Sequence, residues 1–225
     1  MAERYLITQT LLSAWGYMFD CHEDVETDAR ESFLRTLRRE PTVTTPEMQN
    51  GIDFENLCYS IANGTFRPEW RDAHAVNSVS GESMEYYKYP KNYAGAKLVA
   101  SRIRGAQIQV RVSRELTVDG MDFVVYGILD ALKAGTISDV KFKNKPFGKL
   151  ELAGSYRESP QHSLYFYLVP EALDFQYLVS DGEELYTEIY HPNECRSAAE
   201  IIHNYLQWLI GAGLLELYKK HWVAR

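Results

Sequence analysis

The sequence predicts an α+β domain: a central mixed sheet built on an antiparallel three-strand meander and flanked by helices. Three observations carry that prediction. Apolar residues recur at helical spacing before about residue 104 and again after Ser159. Between Gly105 and Asn144 the period changes to two, as in strands. Two turn dipeptides, Asp119-Gly120 and Ala134-Gly135, cut that alternating stretch into three. A chain of 225 residues with 45% hydrophobic and 24% charged residues can bury a sizeable core, and its composition argues against long disorder.

The elements follow in order. Helices are expected at about Ile7–Phe19 and about Glu26–Arg39, and "EPTVTTPEMQNG" (Glu40 to Gly51) reads as a linker. "GIDFENLCYSIANG" then spaces Ile52, Phe54, Leu57, Cys58 and Ile61 helically and closes on Asn63-Gly64, a helix bearing Glu55. "KNYAGAKLVASRI" adds another. "AQIQVRVSRELTV" alternates apolar and polar residues, "MDFVVYGILDAL" is apolar on both faces like a central strand, and "TISDVKFKN" completes the meander. Ser159-Pro160 is a helix start for "PQHSLYFYLV", with Ser as N-cap and Pro in the first turn. Two more strands, "DFQYLVS" and "ELYTEIYH", precede helical sequence from Ser197 to Lys220, broken near Gly211-Ala212-Gly213. The expected organisation is a single domain over 1–225, with a helical N-terminal extension (1–50), a core (51–191) and C-terminal helices (192–225).

Bulk properties exclude several classes. No apolar run reaches the roughly 20 residues of a membrane span, and the start lacks a signal-peptide layout, so a cytoplasmic protein is expected. Three scattered cysteines, Cys21, Cys58 and Cys195, indicate reduced thiols rather than a disulfide framework or a zinc site. The net charge is -7, yet the middle of the chain is basic: Lys97, Arg102, Arg104, Arg111 and Arg114 occur with no intervening acid. A solvated face is the plain explanation for such a run.

Strand alternation puts Asp139, Lys141 and Lys143 on one face and turns Val140 and Phe142 to the other. A turn at Ala134-Gly135 brings Asp130 about level with Asp139. Two carboxylates facing one small volume repel each other and favour a hard divalent cation, magnesium or manganese, which suits phosphodiester hydrolysis. The competing explanation is an exposed Asp139–Lys141 ion pair worth about 0–1 kcal/mol.

Glu55 on a helix, "GILD" with Asp130, "DVK" with Asp139 and Lys141, and "QHSLY" with Gln161 and Tyr165 together resemble the PD-(D/E)XK nuclease superfamily. The Q-x-x-x-Y element is similar to that of the RecB-type and lambda-exonuclease-like branch. The resemblance spans about Gly51 to His191 and implies a restriction-endonuclease-like fold. It further implies a magnesium- or manganese-dependent deoxyribonuclease, an exonuclease in DNA processing or recombination, including phage-borne recombination. Glu55, Asp130, Asp139 and the backbone carbonyl of Val140 would be metal ligands, and Lys141 the catalytic lysine. Gln161 and Tyr165 would hold the DNA backbone or order the active-site helix. Some relatives carry an iron-sulfur cluster on four cysteines, but only Cys195 follows the Gln-Tyr helix here, so no cluster is expected.

DNA is the implied partner, with a recombination or single-strand-binding protein as a possible second. Arg111, Arg114, Lys143 and Lys145 are candidate phosphate contacts, and Tyr86, Tyr87, Tyr89 and Tyr93 candidates for stacking on unpaired bases. His162 is expected to pack or cap rather than catalyse, and His74 fits a structural role as well as one at the site. The alternative is a nuclease-fold DNA- or protein-binding module without turnover.

Overall fold

The structure, a computed structural model, describes residues 3–20, 26–71, 86–149 and 152–224. The fold is α+β. Its strands are β1 (Arg4–Thr8), β2 (Glu69–Arg71), β3 (Tyr86–Lys88), β4 (Gln107–Val118), β5 (Met121–Lys133), β6 (Thr136–Phe142), β7 (Asp174–Ser180) and β8 (Leu185–Tyr190). The helices are α1 (Gln9–Asp20), α2 (Glu26–Leu37), α3 (Pro46–Ala62), α4 (Tyr93–Ile103), α5 (Pro160–Leu168), α6 (Ala198–Gly211) and α7 (Leu215–His221). No helix among the described residues is long and apolar enough to cross a membrane.

All strands but β2 and β3 form one mixed six-stranded sheet. The meander is present as expected: β4 pairs with β5 and β5 with β6, both antiparallel. Both turns have the left-handed backbone of a type I′ hairpin, with φ of 52° and 75° at Asp119-Gly120 and 49° and 84° at Ala134-Gly135.

Three expectations need correction. Ile7 and Thr8 do not open a helix. They end β1, which runs parallel to β5 in the central sheet, Arg4 opposite Asp122 and Thr8 opposite Tyr126. A five-residue strand is too short to show its period, and the helix directly behind it masks its end. Residues 1–50, expected as a helical extension of the single domain, thus include a strand, and Tyr5, Ile7, Leu11, Leu12, Phe33 and Leu37 belong to the main core together with residues of α5, α6 and α7. Part of the presumed linker is also helical, because Thr45 caps the Met48 N–H and Pro46 sits in the first turn, so α3 starts ahead of Gly51.

The long strand β5 organises the site. One edge is paired along its length with β4. The other is shared: β1 takes residues 122–126 and β6 only 131–133. Between them, Gly127 to Asp130 has no strand partner on that edge, and the sheet opens into a fork. Helix α5 closes one side of it, where the Tyr165 hydroxyl donates to the Ile128 carbonyl at 2.9 Å and supplies a partner that the ladder does not.

Gly127 makes that approach possible. A Cβ here would lie 2.7 Å from Tyr165 Cε1 and 3.0 Å from Leu168 Cδ1. Gly127→Ala is therefore expected to cost about 1–3 kcal/mol by overpacking, read as a lower urea midpoint at unchanged slope. An Ala variant as stable as the parent would show that α5 yields without cost.

Candidate active site

Strand β6 crosses the fork. Beyond Ser138 it has lost β5 as a neighbour but remains paired with β7 through Phe142. Val140 and Phe142 pack into the second core cluster with Phe54 and Cys58, and the Phe54 and Phe142 rings stack at 4.7 Å. Alternation sends Asp139 and Lys141 to the opposite side, toward α5.

There Asp139, 3% exposed, accepts a hydrogen bond on Oδ1 from Gln161 Nε2 and has the Lys141 ammonium 2.6 Å from Oδ2. The acid is buried and the lysine half-buried, both with organised partners, unlike the exposed pair of the plain reading. Burial works against the charge on Lys141, but the adjacent Asp139 carboxylate, with Asp130 beyond it, overrides burial and raises its pKa.

Asp130 stands where the β5–β6 ladder stops. Its Oδ2 accepts from the Val140 N–H at 2.9 Å, filling the gap that a strand neighbour would occupy. The carbonyl of Val140 leaves the strand toward the same edge as its N–H, so it opens onto the fork. Burial, then Asp139, then Glu55 push the Asp130 carboxyl up to about 8, against the Val140 N–H and Lys141.

Glu55 reaches the group from α3. Phe54 and Cys58 bury their side of the helix and leave Glu55 half-buried beside them, whereas Glu47 and Asp53 are exposed. Burial and then Asp139 raise Glu55 to about 7, with Lys141 opposing. Three carboxylates and one lysine from three elements thus share one electrostatic neighbourhood.

The structure adds residues that sequence reasoning missed. Gln109 on β4 lies across from Asp130 and donates from Nε2 to Asp130 Oδ1 at 3.2 Å and to the Tyr59 hydroxyl at 3.0 Å. Its φ of 54° is unusual for a non-glycine residue within a strand. Ile108 before it packs on the second core cluster and Val110 after it on the first. The kink thus switches the strand between the two cores beside the candidate site. Tyr59 falls four residues after Glu55 and could have been found from that spacing; nothing in the alternation of β4 announced Gln109. Tyr156 stacks on Tyr177 at 4.2 Å beneath Lys143 Nζ, 5.4 Å from its ring centroid, and its buried hydroxyl has no partner among the described residues.

The other candidates divide between buried and exposed positions. Gln161 and Tyr165 are each 4% exposed, so their side chains order the site through Asp139 and Ile128 and do not reach outward to a DNA backbone. Arg114 is turned to α5, donating to the Tyr167 carbonyl at 3.0 Å and lying over that ring. It therefore points away from Arg111, three residues back on the opposite face of β4. Lys143 shares the Lys141 face, with its pKa lowered by burial and then by Lys141, and Lys145 is exposed just beyond the strand. Tyr89 and Tyr93 stack on each other at 4.3 Å. His162 is structural as expected: its ring is parallel to Tyr190 at 4.3 Å, and burial, then Arg196, lowers it to about 4. His74, Cys21 and the side chains of Tyr86 and Tyr87 lie outside the described residues.

The donor set suits a hard divalent cation. Two of its carboxyls, Glu55 and Asp130, are pushed toward or above neutrality by burial and then by the Asp139 carboxylate, a repulsion such an ion would relieve. As the side chains stand, no three carboxylates, imidazoles or thiols among the described residues are grouped closely enough to hold an ion. The oxygens of Asp130 are taken up by Val140 and Gln109, and those of Asp139 by Gln161 and Lys141.

The fold and site define an α+β domain with an acid-and-lysine cluster in a forked sheet. No family model and no curated protein matches the sequence. Among solved structures, the fold is similar to the crystal structure of SSO0001, with a TM-score of 0.50 and 14% identity over 93% of this chain and 78% of that one. At that identity the likeness bears on the fold alone.

Proposed function

We propose that this chain is a divalent-metal-dependent deoxyribonuclease of the PD-(D/E)XK type, acting as an exonuclease on linear DNA. The observation that carries the reading is the pair of buried Asp139 and half-buried Lys141 at the open fork, with Asp130 and Glu55 beside it. Asp130, Asp139, Glu55 and the Val140 carbonyl would hold magnesium or manganese. When bound, that ion polarises the scissile phosphate and makes water a better nucleophile.

The chain's own residues supply the rest. Lys141 places a fixed positive charge where charge builds up on the phosphate, and the Asp139 carboxylate keeps its Nζ protonated and aimed. Gln161 holds Asp139 from α5, and Tyr165 holds α5 on β5. Glu55, half-buried on α3 beside Phe54 and Cys58, would add its carboxylate to the ion from the helix side.

The test is cleavage of linear DNA by the purified protein with magnesium or manganese, and no cleavage with chelator. Comparing linear with covalently closed circular DNA checks the exonuclease part. Metal-independent cleavage, or none under any condition, would sink the reading; DNA binding without turnover would favour a binding module on the same fold.

A further inference from the structure

We infer that the open face of β4 and β5 is a phosphate-binding track, carrying the DNA backbone from Asp130 to a basic cleft at Arg39, Lys220 and His221; this rests on the nuclease reading for the site that the track serves. Ile128, Tyr126 and Val124 alternate along one face of β5 leading away from Asp130, and Arg111 and Ser113 of β4 stand directly across from Ile128 and Tyr126. Ser113, Val124 and Tyr126 then form one side of an open cleft of about 860 Å3 whose far side is Arg39, Lys220 and His221. The end of the chain builds that side: the Leu6 N–H donates to the Trp222 carbonyl at 2.6 Å and the Ala224 N–H to the Arg4 carbonyl at 2.8 Å.

Charge identifies the occupant. Arg39, Arg111 and Lys220 are exposed and have no ion-pair partner among the described residues. Of the acids nearby, Glu115 pairs with Arg4, and Asp122, which accepts from the Thr117 hydroxyl at 2.6 Å, stands at the far end of β5 from Asp130. On β5 no acid stands between Asp122 and Asp130. In a chain of net charge -7, three such cations, Arg111 on the sheet face and Arg39 and Lys220 across the cleft, concentrate positive potential where a polyanion would lie. Arg39 is also held in place, its guanidinium 4.4 Å from the centroid of the Trp222 ring.

The geometry sets a length. The six residue-to-residue steps of strand from Val124 to Asp130 span about 20 Å, which is about six base pairs of duplex at 3.4 Å each. Substrates shorter than that beyond the cleaved bond would not reach the cleft.

The test is the double variant Arg39→Ala/Lys220→Ala. Binding of a linear duplex of about 20 base pairs is measured by fluorescence anisotropy with chelator present, across a salt series. The expected result is at least about 10-fold weaker binding at about 0.1 M salt, with the log-log salt slope reduced by about 2. With magnesium, cleavage of a hairpin of about 12 base pairs should slow in the double variant, while a hairpin of about 4 base pairs is cut as by the parent. Unchanged affinity and slope would overturn the track even if the parent cleaves DNA, leaving the nuclease reading intact. Binding that depends on Arg39 and Lys220 without any cleavage by the parent would do the reverse. A parent protein that binds no DNA would overturn both.

Discussion

Lys141→Met is expected to lower metal-dependent DNA cleavage by about 10²–10³-fold and also to destabilise the protein, and a second substitution separates the two effects. Lys141 is paired with a carboxylate whose side chain is 4% exposed, so removing it alone strands a buried charge. Breaking a fully buried pair costs about 3–5 kcal/mol; with the Lys141 side chain 34% exposed, water screens part of that and about 1–3 kcal/mol is expected. In Asp139→Asn/Lys141→Met both charges are gone, Gln161 can still hydrogen-bond the amide, and most of the lost stability should return. Activity should not. A double variant that regains cleavage together with stability would show that the pair acts only by holding the fold; a single variant with full activity would remove Lys141 from the chemistry.

The second large effect concerns pH. Glu55 rises from 4.5 to about 7 and Asp130 from 3.8 to about 8, burial being the first cause for both. Between the ordinary and the raised values the folded protein binds more protons than the unfolded chain, so stability falls as pH rises. Both groups act in the same direction. The metal-free protein is expected to be most stable with both acids protonated, to lose stability from about pH 4 to about pH 8, and to level off above; the melting temperature should drop by at least about 5 °C across that range.

Two comparisons locate this effect at the site. Asp130→Asn keeps an acceptor for the Val140 N–H and removes a disfavoured charge, so in chelator at pH 8 it should melt higher than the parent. Magnesium or manganese should stabilise the parent more at pH 8 than at pH 5, because more of the carboxylates that would hold the ion are then ionised, and should do little for Asp130→Asn. A flat melting profile in chelator would remove the electrostatic conflict on which the cation reading leans.

How much of this was legible in the sequence depended on the range of the interaction. On β6 the period of two alone put Asp139 and Lys141 on one side and Val140 and Phe142 on the other, because the pleat leaves no other arrangement. The Ala134-Gly135 turn set the register, since a two-residue loop allows only one, and observed pairs such as Ala131 with Ser138 bring Asp130 level with Asp139. The caps Ser159 and Asn63 likewise mark helix ends through hydrogen bonds made within a few residues.

What the tertiary structure decided involves partners far apart in sequence. That β1 and β6 share one edge of β5 and leave Gly127 to Asp130 unpaired cannot be read from any of the three segments alone. Choosing Glu55 over Asp53 and Glu47 required the side of α3 that Phe54 and Cys58 bury against β6. The kink at Gln109 is set by which core claims Ile108 and which claims Val110, a competition with no local signature. Local rules place side chains on faces, so the sequence by itself determined the meander, its turns and the Asp139–Lys141 face. Which faces meet is a packing outcome of the whole chain, so the fork, the choice of Glu55 and the open face of β4 and β5 came only with the fold.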